Sequence, residues 1–193
     1  MRLIVNTILG LISIGLVYLL IVSIKEPIQF GEARNTREKA IIDRLRLLRD
    51  LQNMHLDIKG QFAKNWDDLK NVLTTEKFMY INIEGDPDDP NFTDFKRDTS
   101  YAPAIDTIRA MGINLDSVSL VPFSNGVKFE IFADTIQYQG ALQNVVEVGT
   151  TYKIFMGKYG DVKYSKYDNS YNPEKFIKFG DRSTPIVTGN WEK

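Results

Sequence analysis

The chain has 193 residues, 43% apolar and 25% charged, a composition that supports a buried core and excludes a wholly disordered chain. Its 24 basic and 25 acidic residues lack the basic excess of a nucleic-acid binder, so no nucleic-acid partner is expected. With no cysteine and a single histidine, His55, disulfides, thiol catalysis, cysteine-ligated zinc, iron–sulfur clusters, a lipid-modified cysteine anchor and any multi-histidine metal site are excluded.

Leu3 to Ile24 is a run of 22 residues without a charge. As a helix it spans about 33 Å, enough for a bilayer core. Its apolar stretch is longer than that of a cleaved signal peptide and no A-x-A-like site follows it. The expectation is an uncleaved signal anchor over residues 1–27. Asn6, Gly10 and Ser13 recur at i, i+4 and i+7, with Thr7 beside them, a face of small and weakly polar residues suited to a partner helix. Flanking charges conflict on orientation. Lys25, Arg34, Arg37, Lys39 and Arg44 follow the segment and only Arg2 precedes it, which places the C-terminal part in the cytoplasm. The immediate flank from Lys25 to Ala33, however, carries one basic residue, and a short basic N-terminus suits an extracytoplasmic C-terminal part.

Glu26-Pro27 to Gly31 reads as a break. A long amphipathic helix is predicted from about residue 33 to 59, stopped by Gly60. Its apolar stripe is Ala40, Leu47, Leu51, Met54 and Ile58, widened by Ile41, Leu45, Leu48 and His55. Asp43, Arg46, Asp50, Asn53 and Asp57 form the opposite face. Arg37 and Arg44 border the apolar side. They either snorkel at its margin or meet a partner's carboxylates. The distal half of the stripe is expected in the core. The membrane-proximal half, with Ile41, has no evident cover, so Arg37, Ile41 and Arg44 are candidate partner-binding residues. His55 is expected to be a packed, hydrogen-bonded histidine.

Asn65 is placed to cap a second helix over Trp66–Leu73, with Asp67 and Asp68 in its first turn. Phe78–Ile83 alternates as a strand. Gly85–Ser100 is a polar loop. Asp86, Asp88, Asp89 and Asp94 in it are a weak calcium candidate whose spacing does not match an EF-hand. A helical turn is predicted over 104–111. Strands are predicted at 117–122, 127–133, 142–148, 151–156 and 162–164, separated by turns at Ser124-Asn125-Gly126, Gln139-Gly140, Gly149-Thr150 and Lys158-Tyr159-Gly160. A turn of helix is predicted at 173–177, and Trp191 is expected to dock. Aromatic residues crowd the C-terminal half, as a β-rich core or as a binding patch.

No phosphate loop, dinucleotide fingerprint, H-E-x-x-H or nucleophile elbow is present. No catalytic residue and no cofactor is therefore assigned. The stretch RLRLLRDLQNMHLDIKGQFAKNWDDLKNVL resembles pilins and type II secretion pseudopilins, a resemblance that implies a membrane helix, a long amphipathic helix and an antiparallel sheet. The prepilin pattern of Gly, a hydrophobic residue and Glu four further on is lacking, since LISIGL follows Gly10. REKAIIDRLRLLRDLQ, KGQFAKNWDDLKNVL, DSVSLVPFSNGVKFEIFADTI, VVEVGTTYKIFM and the end TGNWE resemble an uncharacterised family of small single-pass envelope proteins of the Bacteroidota. That resemblance covers most of the chain beyond the anchor and implies a periplasmic C-terminal part.

The expected architecture is α+β: a transmembrane helix, then, over residues 28–193, a long amphipathic helix packed on an antiparallel β-sheet, with the β-rich part about 78–193. The expected role is a non-enzymatic accessory or scaffold subunit of an inner-membrane envelope complex. Its partners would be the lipid bilayer and other inner-membrane subunits. They would be reached through the anchor and the proximal half of the long helix. A pseudopilin-like filament subunit is the alternative.

Overall fold

A computed structural model describes residues 2–84 and 96–192. The four candidate calcium-loop aspartates, Asp86, Asp88, Asp89 and Asp94, lie outside these residues. The fold is α+β. It opens with α1 (Arg2–Lys59), followed by α2 (Trp66–Thr75), the strands β1 (Lys77–Glu84) and β2 (Lys96–Pro103), and α3 (Ala104–Ala110). Strands β3 (Glu130–Tyr138) and β4 (Ala141–Thr151), α4 (Tyr152–Met156), 3-10 turns at Gly157–Tyr159 and Val162–Lys166, and β5 (Phe176–Gly180) complete it. Strands β1 and β2 form an antiparallel pair, and β3-β4-β5 a separate antiparallel sheet with β4 central.

The expected break at Glu26–Gly31 does not exist. Helix α1 runs unbroken through Pro27 for 58 residues, about 87 Å at the usual rise. Proline in a helix removes one hydrogen bond, here the one to the carbonyl of Ser23, and crowds that carbonyl. Ser23 is exposed, so solvent or polar headgroups are available to the freed group.

The buried stripe of α1 begins earlier than predicted and is rotated. It runs Phe30, Ile41, Leu45, Leu48, Leu51, Gln52 and His55, all at most 2% exposed. Ala40, Leu47, Met54 and Ile58 are only partly buried, at its margin. The proximal half of the helix is thus covered within the chain. Ile41, 0% exposed, is core and not a partner contact. Phe30, Ile41, Leu45, Leu48 and Leu51 of this stripe share one buried cluster with Phe62, Leu69 and Leu73, with Val146, Val148, Ile177 and Phe179 of the sheet, and with Tyr152, Phe155, Tyr159, Tyr164 and Tyr171.

At the far end of α1, Gln52 replaces missing backbone partners. Its amide nitrogen donates to the Ala63 carbonyl (3.2 Å) and its oxygen accepts from the Ala63 N–H (2.9 Å). Gly60 takes φ of 72°, as expected of the residue after a helix end. Asn65 caps α2 by accepting from the Asp68 N–H (2.8 Å).

Several predicted strands are not strands. Residues 117–129 are turns held by one bridge, Leu120 with Lys128. Residues 152–156 form α4, and 162–166 a 3-10 turn. The predicted helix at 173–177 gives way to β5. Gly149-Thr150 is no turn but part of β4, near its end. A Cβ on Gly149 would lie 2.5 Å from the Ile177 carbonyl oxygen, so glycine there serves close strand approach. Lys96–Ser100, expected in a loop, pair in β2.

If Ile41 is core, Ile41→Asp destabilises the full chain at least as much as Leu51→Ala, and Leu51→Ala costs about 2–5 kcal/mol. Urea unfolding of the detergent-solubilised chain measures both. An Ile41→Asp chain as stable as the parent contradicts this packing.

Candidate functional site at the base of the helix

The first part of α1 packs on nothing. From Leu3 to Ile21 and at Ile24 its apolar side chains are exposed, Leu3 to 82% and Ile14 to 69%. This one helix is long and apolar enough to cross a membrane. Asn6, Gly10 and Ser13 are exposed along it, and a Cβ on Gly10 would meet nothing within 4 Å. The Ser13 hydroxyl donates to the Leu9 carbonyl and the Thr7 hydroxyl to the Leu3 carbonyl, each at 2.9 Å. Both hydroxyls are thereby satisfied within the helix, as suits an apolar surrounding.

Contact with the rest of the chain starts at Glu26, whose carboxylate accepts from the Tyr167 hydroxyl. One turn on, Phe30 is enclosed by four tyrosine rings. Tyr164 stacks at 5.6 Å with an interplanar angle of 7°. Tyr159 and Tyr171 approach edge-on at 5.7 and 5.0 Å, and Tyr167 lies tilted at 6.1 Å. The Tyr171 hydroxyl donates to the Tyr159 carbonyl (2.7 Å), which fastens the cage to itself. Tyr152, Phe155, Tyr159, Tyr164, Tyr167 and Tyr171 are therefore neither strand residues nor an exposed patch, whereas Phe132, Tyr138, Phe176 and Phe179 do lie in strands. Residues 152–171 fold as α4 and short 3-10 turns around the helix.

Above the cage, arginines on or beside the buried stripe act as rungs. Arg34 pairs with Asp168 and reaches the Ser170 hydroxyl at 3.3 Å. Arg37 donates to the Phe155 carbonyl (2.7 Å) near the C-terminus of α4 and lies 5.1 Å from the Phe123 ring centroid. Arg44 donates to the Ser117 carbonyl (3.1 Å), and Arg49 to Glu192 (2.8 Å). Arg37 and Arg44, predicted to meet either solvent or a partner, meet carbonyls of their own chain. Arg34, Arg49 and Phe30 were missed. Their signal was present as the 4, 3, 4, 3 spacing of Phe30, Arg34, Arg37, Ile41 and Arg44, which only appears once the helix is allowed to pass Gly31.

Titratable groups are spent on structure. His55 is 1% exposed, with Nδ1 at 2.7 Å from the Gln61 carbonyl. That carbonyl only accepts, so Nδ1 carries a proton. Nε2 faces the Asp68 carboxylate at 3.3 Å. Burial, then a hydrogen bond with Glu38, pushes the Tyr152 phenol well above its ordinary range. On the sheet, the buried Glu147 accepts from Lys178 and from Arg182, the latter at 2.6 Å. Burial alone would lower the Lys178 pKa, but Glu147 and Asp181 raise it. Asp181 accepts from the hydroxyl and the N–H of Ser183, which with Lys178 hold its carboxyl down from 3.8 to about 2. No group of three or more His, Asp or Glu side chains able to hold a metal occurs among the described residues.

No family model, no curated protein and no solved structure matches this chain.

Asp181 yields a pH test. Its folded pKa lies below the unfolded one, so its stabilisation is complete above about pH 4 and disappears as pH falls through about 2. Asp181→Asn should lower the melting temperature at neutral pH, and the gap to the parent should close towards pH 2. A constant gap across that range would show that the carboxylate charge is not what stabilises.

Proposed function

We propose that this chain is a non-enzymatic, single-pass accessory or scaffold subunit of an inner-membrane complex in a bacterial cell envelope. The complex would serve transport, secretion or proton-driven energy transduction such as a TonB-type motor. The C-terminal part is periplasmic in this reading, the amphipathic half of α1 backs the antiparallel sheet, and the chain resembles small anchored envelope proteins of the Bacteroidota. The observation that carries the proposal is the division of α1. Its apolar residues from Leu3 to Ile21 are exposed, and the same unbroken helix buries one stripe in the folded part from Phe30 to His55. A helix of this kind transmits force or position between membrane and head, because it contains no joint.

The ionisable groups support a structural role. An open groove of ≈ 560 Å³ lies beside α1, but the Arg34, Asp168, Asp43 and Arg46 side chains that line it are already paired. Partner contacts then fall to the anchor face, Asn6, Gly10 and Ser13, and no longer to Ile41. A pseudopilin-like filament subunit is the second reading. The half-exposed, half-buried first helix on an α+β head favours it, and the lack of a prepilin cleavage pattern after Gly10 opposes it.

Alkaline phosphatase fused after Lys193 is expected to be active, and Gly10→Leu to insert normally but lose co-purifying membrane subunits. An inactive phosphatase with a fluorescent GFP fusion at the same site reverses the orientation. Unchanged partners in Gly10→Leu reduce the anchor to a tether. A shortened, methylated N-terminus by mass spectrometry would instead favour the filament reading.

A further inference from the structure

Because α1 is one unbroken element, height above the bilayer is counted along it. If the span ends at Ile24, Glu26 stands about 3 Å beyond the hydrocarbon and Phe30 about 9 Å, at 1.5 Å per residue. The headgroup layer is about 5–8 Å thick on each side. The 3-10 turn Val162–Lys166 with Tyr167 is tied to those two levels by the Tyr167 bond to Glu26 and the Tyr164 stack on Phe30. This turn therefore stands within the headgroup layer or at its outer edge.

Its chemistry suits that layer. Lys163 and Lys166 are exposed, with their ammonium groups 5.0 and 4.5 Å from the centroids of the Tyr164 and Tyr167 rings. Lys25 is exposed on the helix at the same level, and Val162 presents an apolar side chain 70% exposed. Of the nearby carboxylates only Asp168 is paired with a cation; Glu26 and Asp161 are hydrogen-bonded by neutral groups and keep their charge, against the three lysines Lys25, Lys163 and Lys166. Glu26 is bonded by Tyr167, Asp168 is paired with Arg34, and Asp161 accepts from the Lys163 N–H at 2.8 Å. Glu32 stands higher on the helix. The exposed side chains of this turn are thus lysines and a valine, with the Tyr167 ring half-buried and Tyr164 buried behind them, residue types that settle at membrane interfaces.

Resting on the reading of Leu3–Ile24 as a span, we propose that residues 162–167 with Lys25 form a collar that binds the anionic lipid headgroups of the leaflet from which α1 emerges. The collar holds the head against the membrane and fixes the direction of the helix. The bound group is a lipid phosphate within the bilayer, and the apolar Val162 enters between headgroups.

The chain has no cysteine, so single nitroxide labels are placed at Val17→Cys, Val162→Cys and Leu142→Cys in three full-length proteins. Leu142 lies beside the β3–β4 turn. Asn144, two residues on, donates to the Gly60 carbonyl at the far end of α1, which makes Leu142 the distal reference. The proteins are set in nanodiscs of phosphatidylcholine with about one-third phosphatidylglycerol, enough to give an anionic surface. Accessibility to a water-soluble nickel chelate is then measured. The expected result is full shielding at 17, free access at 142 and several-fold lower access at 162 than at 142. Lys163→Glu with Lys166→Glu, both exposed positions, should raise access at 162 towards that at 142, as should removal of the phosphatidylglycerol. A shielded 17 with 162 as accessible as 142 overturns the collar and leaves the span intact. Access at 17 overturns both. Shielding at 162 that ignores both the charge reversal and the lipid charge overturns the anionic headgroup as ligand.

Discussion

The seating of Phe30 among four tyrosines is the contact on which the rest of the molecule depends. Pro27 and Gly31 fall on either side of it, within one turn each. An interior proline costs a helix about 3 kcal/mol and a glycine about 1 kcal/mol relative to alanine. Left alone, residues 25–32 would break, and the exposed apolar segment would hang from the head on a joint. Truncating a buried phenylalanine costs about 3–5 kcal/mol, so its enclosure matches the cost of carrying the helix through. The cage sits where it is needed, with Phe30 three residues past Pro27 and one before Gly31. The freed Ser23 carbonyl stays on the exposed side, where it retains polar partners.

Once the helix is continuous, the remaining architecture follows from its buried stripe. Phe30, Arg34, Arg37, Ile41, Arg44 and Leu45 occupy successive turns on one side, alternating apolar plugs with guanidinium rungs. An arginine suits such a margin because its stem packs on apolar neighbours while its planar head reaches a carbonyl. Phe155 and Ser117 supply carbonyls left over from α4 and from the turns before β3. These contacts register the helix against segments far away in the chain, and the Gln52 amide and His55 ring close its far end. The β1–β2 pair departs from this plan. Met79, Ile81 and Tyr101 on it are each more than half exposed, and nothing in the structure shows what covers them.

Local signals were legible. The uncharged run to Ile24 is read from composition alone, and the Gly60 stop, the Asn65 cap, the Gln139-Gly140 hairpin and the α3 turn ending at Gly112 each rest on one or two residues whose conformational preference decides the matter. Long-range decisions were not. Pro27 and Gly31 carry strong local preferences for a break, and only tyrosines 129 to 141 positions later override them. The stripe was misplaced by part of a turn because the helix was started three residues after Phe30. YKIFM alternates as well for a strand as for a short helix, and Gly149 looks like a turn until β5 is laid against it. Of the candidate site, the anchor face was read from spacing alone. The collar was invisible, because it joins residue 26 to residue 167.

The central claim is that α1 is one helix from its exposed apolar segment into the core. Nitroxides at Ile14→Cys and Lys39→Cys, both exposed positions, report it directly when their separation is measured by pulsed dipolar spectroscopy on the full chain in nanodiscs. The account predicts one narrow distribution centred on a backbone separation of about 37 Å, the length of 25 residues at 1.5 Å each, allowing for the label arms. A broad distribution, or one shifted well below that length, would show a joint at Pro27 and contradict it.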